Sequence, residues 1–287
     1  YAKRKGIPVL TIYHTHFISY IAYYFKNILP LVKPTEQWMK KAMNNFYNKC
    51  DIVYVPTKSI LNELQQIGLQ QEGLKLWQRG IDTALFNPNK KNLSQLQTIT
   101  KNNKPTILFV SRIVWEKNIK TLIEIYQQIQ AQNLNYNFIV VGEGTAKIIA
   151  MQEMPNAIFL GKKSHDELAI LYASADAFVF PSVSETYGNV VVEALASGLP
   201  CVIADGGGSA SLIQHGKNGF KCQPENAAGY VYYLKKILSD VSLKKNLINE
   251  GLSYVGQLDW NRLSGCYFND IELLVDKTQE VDLAWAN

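Results

Sequence analysis

From Thr106 onward the chain alternates short apolar runs with helical patterns, and that alternation leaves few folds open. "TILFVS" (106–111), "NFIVVG" (137–142), "AIFLG" (157–161), "AFVFPS" (177–182) and "CVIAD" (201–205) are apolar at consecutive positions, as strands buried on both faces are. Crossover segments lie between them. They comprise about 118–132, a short stretch after 142, "SHDELAILYASA" opening on a Ser164–Glu167 capping box, and "VVVEALAS", which stops at Gly198 with Pro200 behind it. A Gly-rich turn, "GGGS" (206–209), precedes a further α/β unit and a helical tail. This rhythm predicts one complete doubly wound parallel domain.

Residues 1–88 carry three more strand-like runs, "PVLTIYH" (8–14), "DIVYVP" (51–56) and "LKLWQRG" (74–80), with helical stretches between them. That is too little for a whole Rossmann-like domain and reads as the C-terminal part of one. The polar segment "NPNKKNLSQLQTITKNNKP" (87–105) is the best linker. The expected organisation is therefore an incomplete α/β domain over 1–88, a linker over 89–105 and a complete domain with C-terminal helices over 106–287. The opening "YAKRKGIPVL" has neither Met nor signal peptide, so the expectation is a piece cut from a longer chain.

Composition narrows the class. The 287 residues suit about two domains, and 47% hydrophobic content suffices for sizeable cores. No run of 18 apolar residues predicts a membrane-spanning helix. Cys50, Cys201, Cys222 and Cys266 show no C-x-x-C spacing, which points to reduced thiols in a cytoplasmic protein and away from zinc. Residues 1–88 hold 11 Lys and Arg against 5 Asp and Glu, a surplus that suits an anionic surface or substrate. The aromatic stretch "FISYIAYYFKNILPLVKP" (17–34), followed by Lys40 and Lys41, fits a helix at a membrane surface and equally a helix packed inside the first domain.

The chemistry concentrates in "SETYGNVVVEALASGLP" (184–200). In an open α/β sheet ligands sit outside the carboxyl ends of the strands, where this loop lies. Gly188 lets backbone approach a ligand, and the amides that follow point out of a helix N-terminus, a ready anion site. Glu193, one turn into that helix, can accept hydrogen bonds from a ribose diol, and Glu185 from hydroxyls beyond the phosphate. Two glutamates at this spacing are by themselves more often a loop acid and a helix acid. "SRIVWEKN" (111–118) shifts that balance by placing Arg112 and Lys117 after another strand of the same domain, able together to neutralise a diphosphate. "GEGTAK" (142–147) also resembles a dinucleotide fingerprint, but the third Gly and the matching acid are missing, so a dehydrogenase is a weak reading.

These residues resemble the retaining GT-B glycosyltransferases of family 4, which pair an Arg…Lys element with an E-x7-E element. "YHT" (13–15), "RGID" (79–82), "VVGEG" (140–144) and "HGKNGF" (215–220) are similar to further signatures of that family. "IYHTHFISYIAYY" and "LWQRGIDTALFNP" resemble the branch of sulfolipid (sulfoquinovosyldiacylglycerol) synthases and related lipid mannosyl- and glucosyltransferases. The resemblance implies a GT-B fold of two Rossmann-like doubly wound domains, the N-terminal one incomplete here. It further implies transfer of a hexose-type sugar from a nucleotide sugar to an acceptor such as diacylglycerol.

By the same resemblance Arg112 and Lys117 would hold the diphosphate with the amides of Gly188, Asn189 and Val190. Glu193 would bind the ribose, Glu185 would stabilise the oxocarbenium-like transition state, and His14 would contact the sugar, with His16 behind it. The nucleotide sugar is a substrate, and no cofactor or obligatory metal is expected, since fixed cations can replace one. The expected partners are the donor and a lipid acceptor, with peripheral attachment to a cytoplasmic membrane face and no nucleic acid. Ser211 departs from the family, standing where many members carry an acid. The alternatives are a soluble sugar or polysaccharide acceptor, a sugar-nucleotide epimerase, or a module that binds without turnover.

Overall fold

The computed structural model describes residues 1–15 and 29–285, with no account of the side chains of 29–32, 71 and 277–285. His16 and residues 17–28 of the aromatic stretch lie outside the described residues. The chain divides into two compact units, Tyr1–Gly80 with Leu258–Asn287, and Ile81–Gln257.

In the first unit β1 (Leu10–Ile12), β2 (Ile52–Val55) and β3 (Leu74–Leu76) form a parallel sheet in the order β1-β2-β3. Helix α1 (Leu29–Tyr47) lies between β1 and β2 in the chain, and α2 (Lys58–Gln66) between β2 and β3. Thr57 caps α2 by accepting from the Ile60 amide at 3.4 Å, and Ile60 and Leu64 on its inner face are buried. Tyr13, Met43, Tyr47, Val53, Val55 and Leu69 complete that core.

The second unit contains α3 (Leu93–Thr100), β4 (Thr106–Val110), α4 (Ile119–Ala131), β5 (Asn137–Val141), α5 (Lys147–Glu153), β6 (Ile158–Phe159) and α6 (His165–Ser174). It continues with β7 (Ala177–Phe180), α7 (Asn189–Ala196), β8 (Cys201–Ala204), β9 (Gly219–Cys222), α8 (Ala227–Ser239) and α9 (Val241–Val255). The six strands are all parallel, in the order β6-β5-β4-β7-β8-β9. Every residue of β4, β5, β7 and β8 is buried, which is why these strands read as unbroken apolar runs. The order reverses between β4 and β7, so the loops leaving those two strands diverge and open a crevice at the sheet's carboxyl edge. The capping box forms as expected: the Glu167 amide donates to Ser164 Oγ at 3.3 Å, and the Ser164 amide donates back to Glu167 at 2.9 Å.

The division into units corrects the expected boundaries twice. Residues 89–105 are not a free linker: Asn92 caps α3, Leu96 and Thr100 are buried, and the Asn92 amide donates to Ser174 Oγ at 2.9 Å. The C-terminal helix Trp260–Trp285, expected to close the second domain, groups with the first unit. There Asp270 accepts from Tyr54 Oη and Lys75 Nζ, each at 2.5 Å, Trp77 Nε1 donates to the Leu263 carbonyl at 2.9 Å, and the Tyr54, Trp77 and Tyr267 rings pack together. A helix's allegiance is set by the side chains it meets, and a sequence pattern registers only that it has an apolar face.

Candidate active site

The site of the second unit is built from the loops after β4 and β7, on either side of the topological switch. The chain leaves β4 at Ser111 and Arg112, buries Ile113, makes the 3-10 turn Trp115–Lys117, and enters α4 through Asn118 at a left-handed φ of 56°. Asn118 fixes the loop from below. Its side-chain amide donates to the carbonyls of Pro181 at 3.2 Å and Pro224 at 3.0 Å, joining the ends of β7 and β9 to the start of α4.

That anchoring aims Lys117 across the switch. The side chain is only 6% exposed, and its ammonium donates to Ser184 Oγ at 3.1 Å and forms an ion pair with Glu185. A buried ammonium is costly unless paired and hydrogen-bonded, and both conditions are met here. Arg112 does not join this pair. It is bound at 3.0 Å to Glu116 of its own loop and remains 59% exposed, a cation on the rim.

Beyond Glu185 the chain turns at Gly188, whose φ of 98° few L residues adopt, and begins α7. The first amides of α7, at Asn189 and Val190, have no carbonyl acceptor within the helix and carry the positive end of its dipole. Glu193 sits one turn further, half-buried, its carboxylate accepting from Tyr172 Oη at 3.0 Å. Burial pushes the Glu193 pKa up, although the Tyr172 hydrogen bond and the charge of His165 act in the opposite direction. Tyr172 is fully buried, and its hydroxyl is held well above its ordinary pKa by that burial and by Glu193.

Of the residues expected from sequence, the structure brings Lys117 and Glu185 into contact, with Gly188, Asn189 and Val190 following directly on the Glu185 loop. Arg112 stands on the Lys117 loop, and Glu193 faces Tyr172. His14 belongs to the first unit, just past β1, where its exposed ring lies 3.1 Å from the Ile12 carbonyl. Sequence reasoning missed three contributors: Ser184, Asn118 and Tyr172. Ser184 had a local signal, being a hydroxyl next to the loop glutamate. Tyr172 had none, because only packing brings α6 beside α7. Among the described residues no group of three or more His, Cys, Asp or Glu is placed to hold a metal ion.

The arrangement offers two cations, a helix N-terminus and two carboxylates along the carboxyl edge of the sheet, which can bind an anion flanked by hydroxyl-bearing groups. The family described as Glycosyl transferases group 1 matches residues 91–253, and the one described as Glycosyltransferase Family 4 matches residues 1–85. Sulfoquinovosyl transferase SQD2 of Arabidopsis thaliana is 33% identical over 270 residues, covering 90% of this chain and 50% of that protein. An alpha-monoglucosyldiacylglycerol synthase of Acholeplasma laidlawii is 29% identical, covering 76% of this chain and 58% of that one. The chain thus spans about half the length of these curated relatives. Among solved structures, Anabaena Alr3699/HepE in complex with UDP and glucose superposes with a TM-score of 0.78 at 21% identity, over 94% of this chain and 73% of that one. The fold class is GT-B, with Rossmann-like parallel sheets, as expected from the sequence.

Proposed function

The chain belongs to the glycosyl transferases group 1 family, and from that premise we propose that it moves a hexose-type sugar from a nucleotide sugar to a membrane lipid such as diacylglycerol, with retention at the anomeric carbon. The observation that carries this reading is the meeting of Lys117 and Glu185 beside the α7 N-terminus, at the switch point of the six-stranded sheet. The diphosphate of the donor binds against the Asn189 and Val190 amides, with Arg112 and Lys117 neutralising the charge that grows on it as the glycosidic bond breaks. Glu185 faces the cationic character that develops on the sugar, and Glu193 receives the ribose hydroxyls. No metal is required in this scheme, because Arg112 and Lys117 supply the positive charge for the diphosphate. His14 keeps the sugar-contacting role that the resemblance gives it, and His14→Ala tests that role separately.

The lipid acceptor is supported by the kinship to proteins named alpha-monoglucosyldiacylglycerol synthase. It is also supported by the basic surplus of residues 1–88 and by the exposed Trp38 and Phe46 of α1, with Lys41 one turn from Trp38. No described helix is long and apolar enough to cross a membrane. The proposed attachment is peripheral, on a cytoplasmic face. Nucleic acid is not proposed as a partner.

Calorimetry with UDP and with GDP tests the pocket, and incubation of UDP-glucose or GDP-mannose with diacylglycerol vesicles tests the reaction. Release of nucleoside diphosphate together with a glycolipid is the expected result. An epimerised nucleotide sugar would instead assign the chain to the epimerases that share this fold, and a glycosylated soluble acceptor would remove the lipid.

A further inference from the structure

The run Gly206-Gly207-Gly208 follows β8 and has no part in the scheme above, yet it is packed against the Glu185 loop with no room to spare. The Gly208 amide donates to the Glu185 carbonyl at 2.6 Å. A methyl group on Gly208 would lie 2.0 Å from the Thr186 carbonyl oxygen and 2.9 Å from that of Glu185. On Gly207, which already sits at a φ of 63°, it would lie 2.2 Å from the Val183 carbonyl oxygen. The contact is reciprocal, since a methyl on Gly188 would lie 2.7 Å from Cβ of Ser209, a residue with no exposed surface. Four positions of one loop, from Val183 to Gly188, are thus met by three consecutive residues of the other, in most cases backbone on backbone. Backbone atoms cannot move aside as a side-chain end can.

We propose that Gly207 and Gly208 are positioning residues for Glu185: they lock the main chain of residues 183–188 from the β8 side, while Lys117 holds the carboxylate from the β4 side. A carboxylate that must face a developing positive charge gains from being fixed beforehand, because no reorganisation is then needed at the moment of reaction. Fixing only the side chain leaves the loop free to carry it away. Fixing only the backbone leaves the rotamer open. The two constraints reach the same residue from neighbouring strands on opposite sides of β7, a placement that the sheet order makes available.

The inference rests on Glu185 facing the donor sugar, so its test separates the lock from that role. Gly208→Ala and Gly207→Ala are expected to raise hydrogen exchange at the amides of residues 183–188 by at least about tenfold. Gly256→Ala is the control, since its added methyl meets nothing closer than 3.5 Å. Gly206→Ala is the milder member of the series, because its methyl comes closest to the Val183 side chain, at 2.9 Å, with Pro224 at an ordinary 3.8 Å, and Val183 can turn away. It keeps the test informative if the harsher variants do not fold, and an intermediate rise in exchange is expected from it.

Binding supplies the second readout. Glu185→Ala and Gly208→Ala should each reduce the affinity for UDP-glucose by about tenfold while leaving UDP within about twofold, and the double variant should lose no more than either alone. Unchanged exchange at 183–188 in both Gly206→Ala and Gly208→Ala would overturn the lock. Additive losses in the double variant would overturn its action through Glu185. Increased exchange with no sugar-dependent loss in Glu185→Ala would leave the lock standing and refute the donor-sugar role instead.

Discussion

Lys117 and Glu185, 68 positions apart in the chain, form an ion pair in which the ammonium is almost wholly buried and the carboxylate retains 23% of its exposure. The pair spans the point where the strand order reverses, so the same contact that bridges the crevice also presents a carboxylate to whatever enters it. An anion entering such a site would share the ammonium with Glu185, and the consequences differ for each member.

Lys117→Met keeps the aliphatic stem and removes the charge, leaving Glu185 without its partner. The expected loss of stability is about 2 kcal/mol, below the range for breaking a fully buried pair because Glu185 reaches solvent. UDP affinity should fall at the same time. Urea denaturation and calorimetry on one preparation measure both, and unchanged stability would contradict the burial described here.

Arg112→Ala gives the opposite balance. Its bond to Glu116 is a surface pair, worth at most about 1 kcal/mol, so the thermal midpoint should hardly move. Loss of a charged hydrogen-bond partner for the diphosphate should cost about ten- to a hundredfold in UDP affinity. Full affinity in a folded Arg112→Ala protein removes this residue from the site.

Glu193 ties stability to pH. A carboxyl whose folded-state pKa lies above its unfolded value holds its proton more tightly when folded. It therefore contributes stability below the unfolded value and loses that contribution as pH rises through the folded one. Thermal midpoints of the wild type should decline through the window just above the ordinary carboxylate range. Those of Glu193→Gln, which still offers an acceptor to Tyr172, should stay flatter there. Calorimetric scans between about pH 4 and pH 7 decide it. A parallel decline in both proteins would mean that Glu193 does not titrate as its burial implies.

Membrane attachment is expected to be electrostatic as well as apolar. Vesicles containing anionic lipid should sediment the protein at low salt and release it as ionic strength rises, and Trp38→Ala should weaken the sedimentation. Absence of sedimentation at low salt would remove peripheral attachment from the proposed function.

Much of the second unit was legible in the sequence because its strands are buried on both faces and leave continuous apolar runs, and because Ser164 and Glu167 sign a helix start locally. The candidate residues Arg112, Lys117, Glu185 and Glu193 could be named for the same reason: each lies within a few positions of a strand's carboxyl end or in a helix's first turns. Which of them meet could not be read from their spacing. The Lys117–Glu185 pair exists because β4 and β7 are neighbours in the sheet although two strands separate them in the chain, and strand order is decided by how all the layers pack at once. Tyr172 under Glu193, Asp270 on Tyr54 and Lys75, and the glycine run against residues 183–188 are likewise contacts between distant segments, with no local periodicity to announce them. Sequence by itself determined the elements and the chemical kinds of residue at their ends. Tertiary structure decided the partners, because burial and close packing act between surfaces that the chain brings together only when it folds.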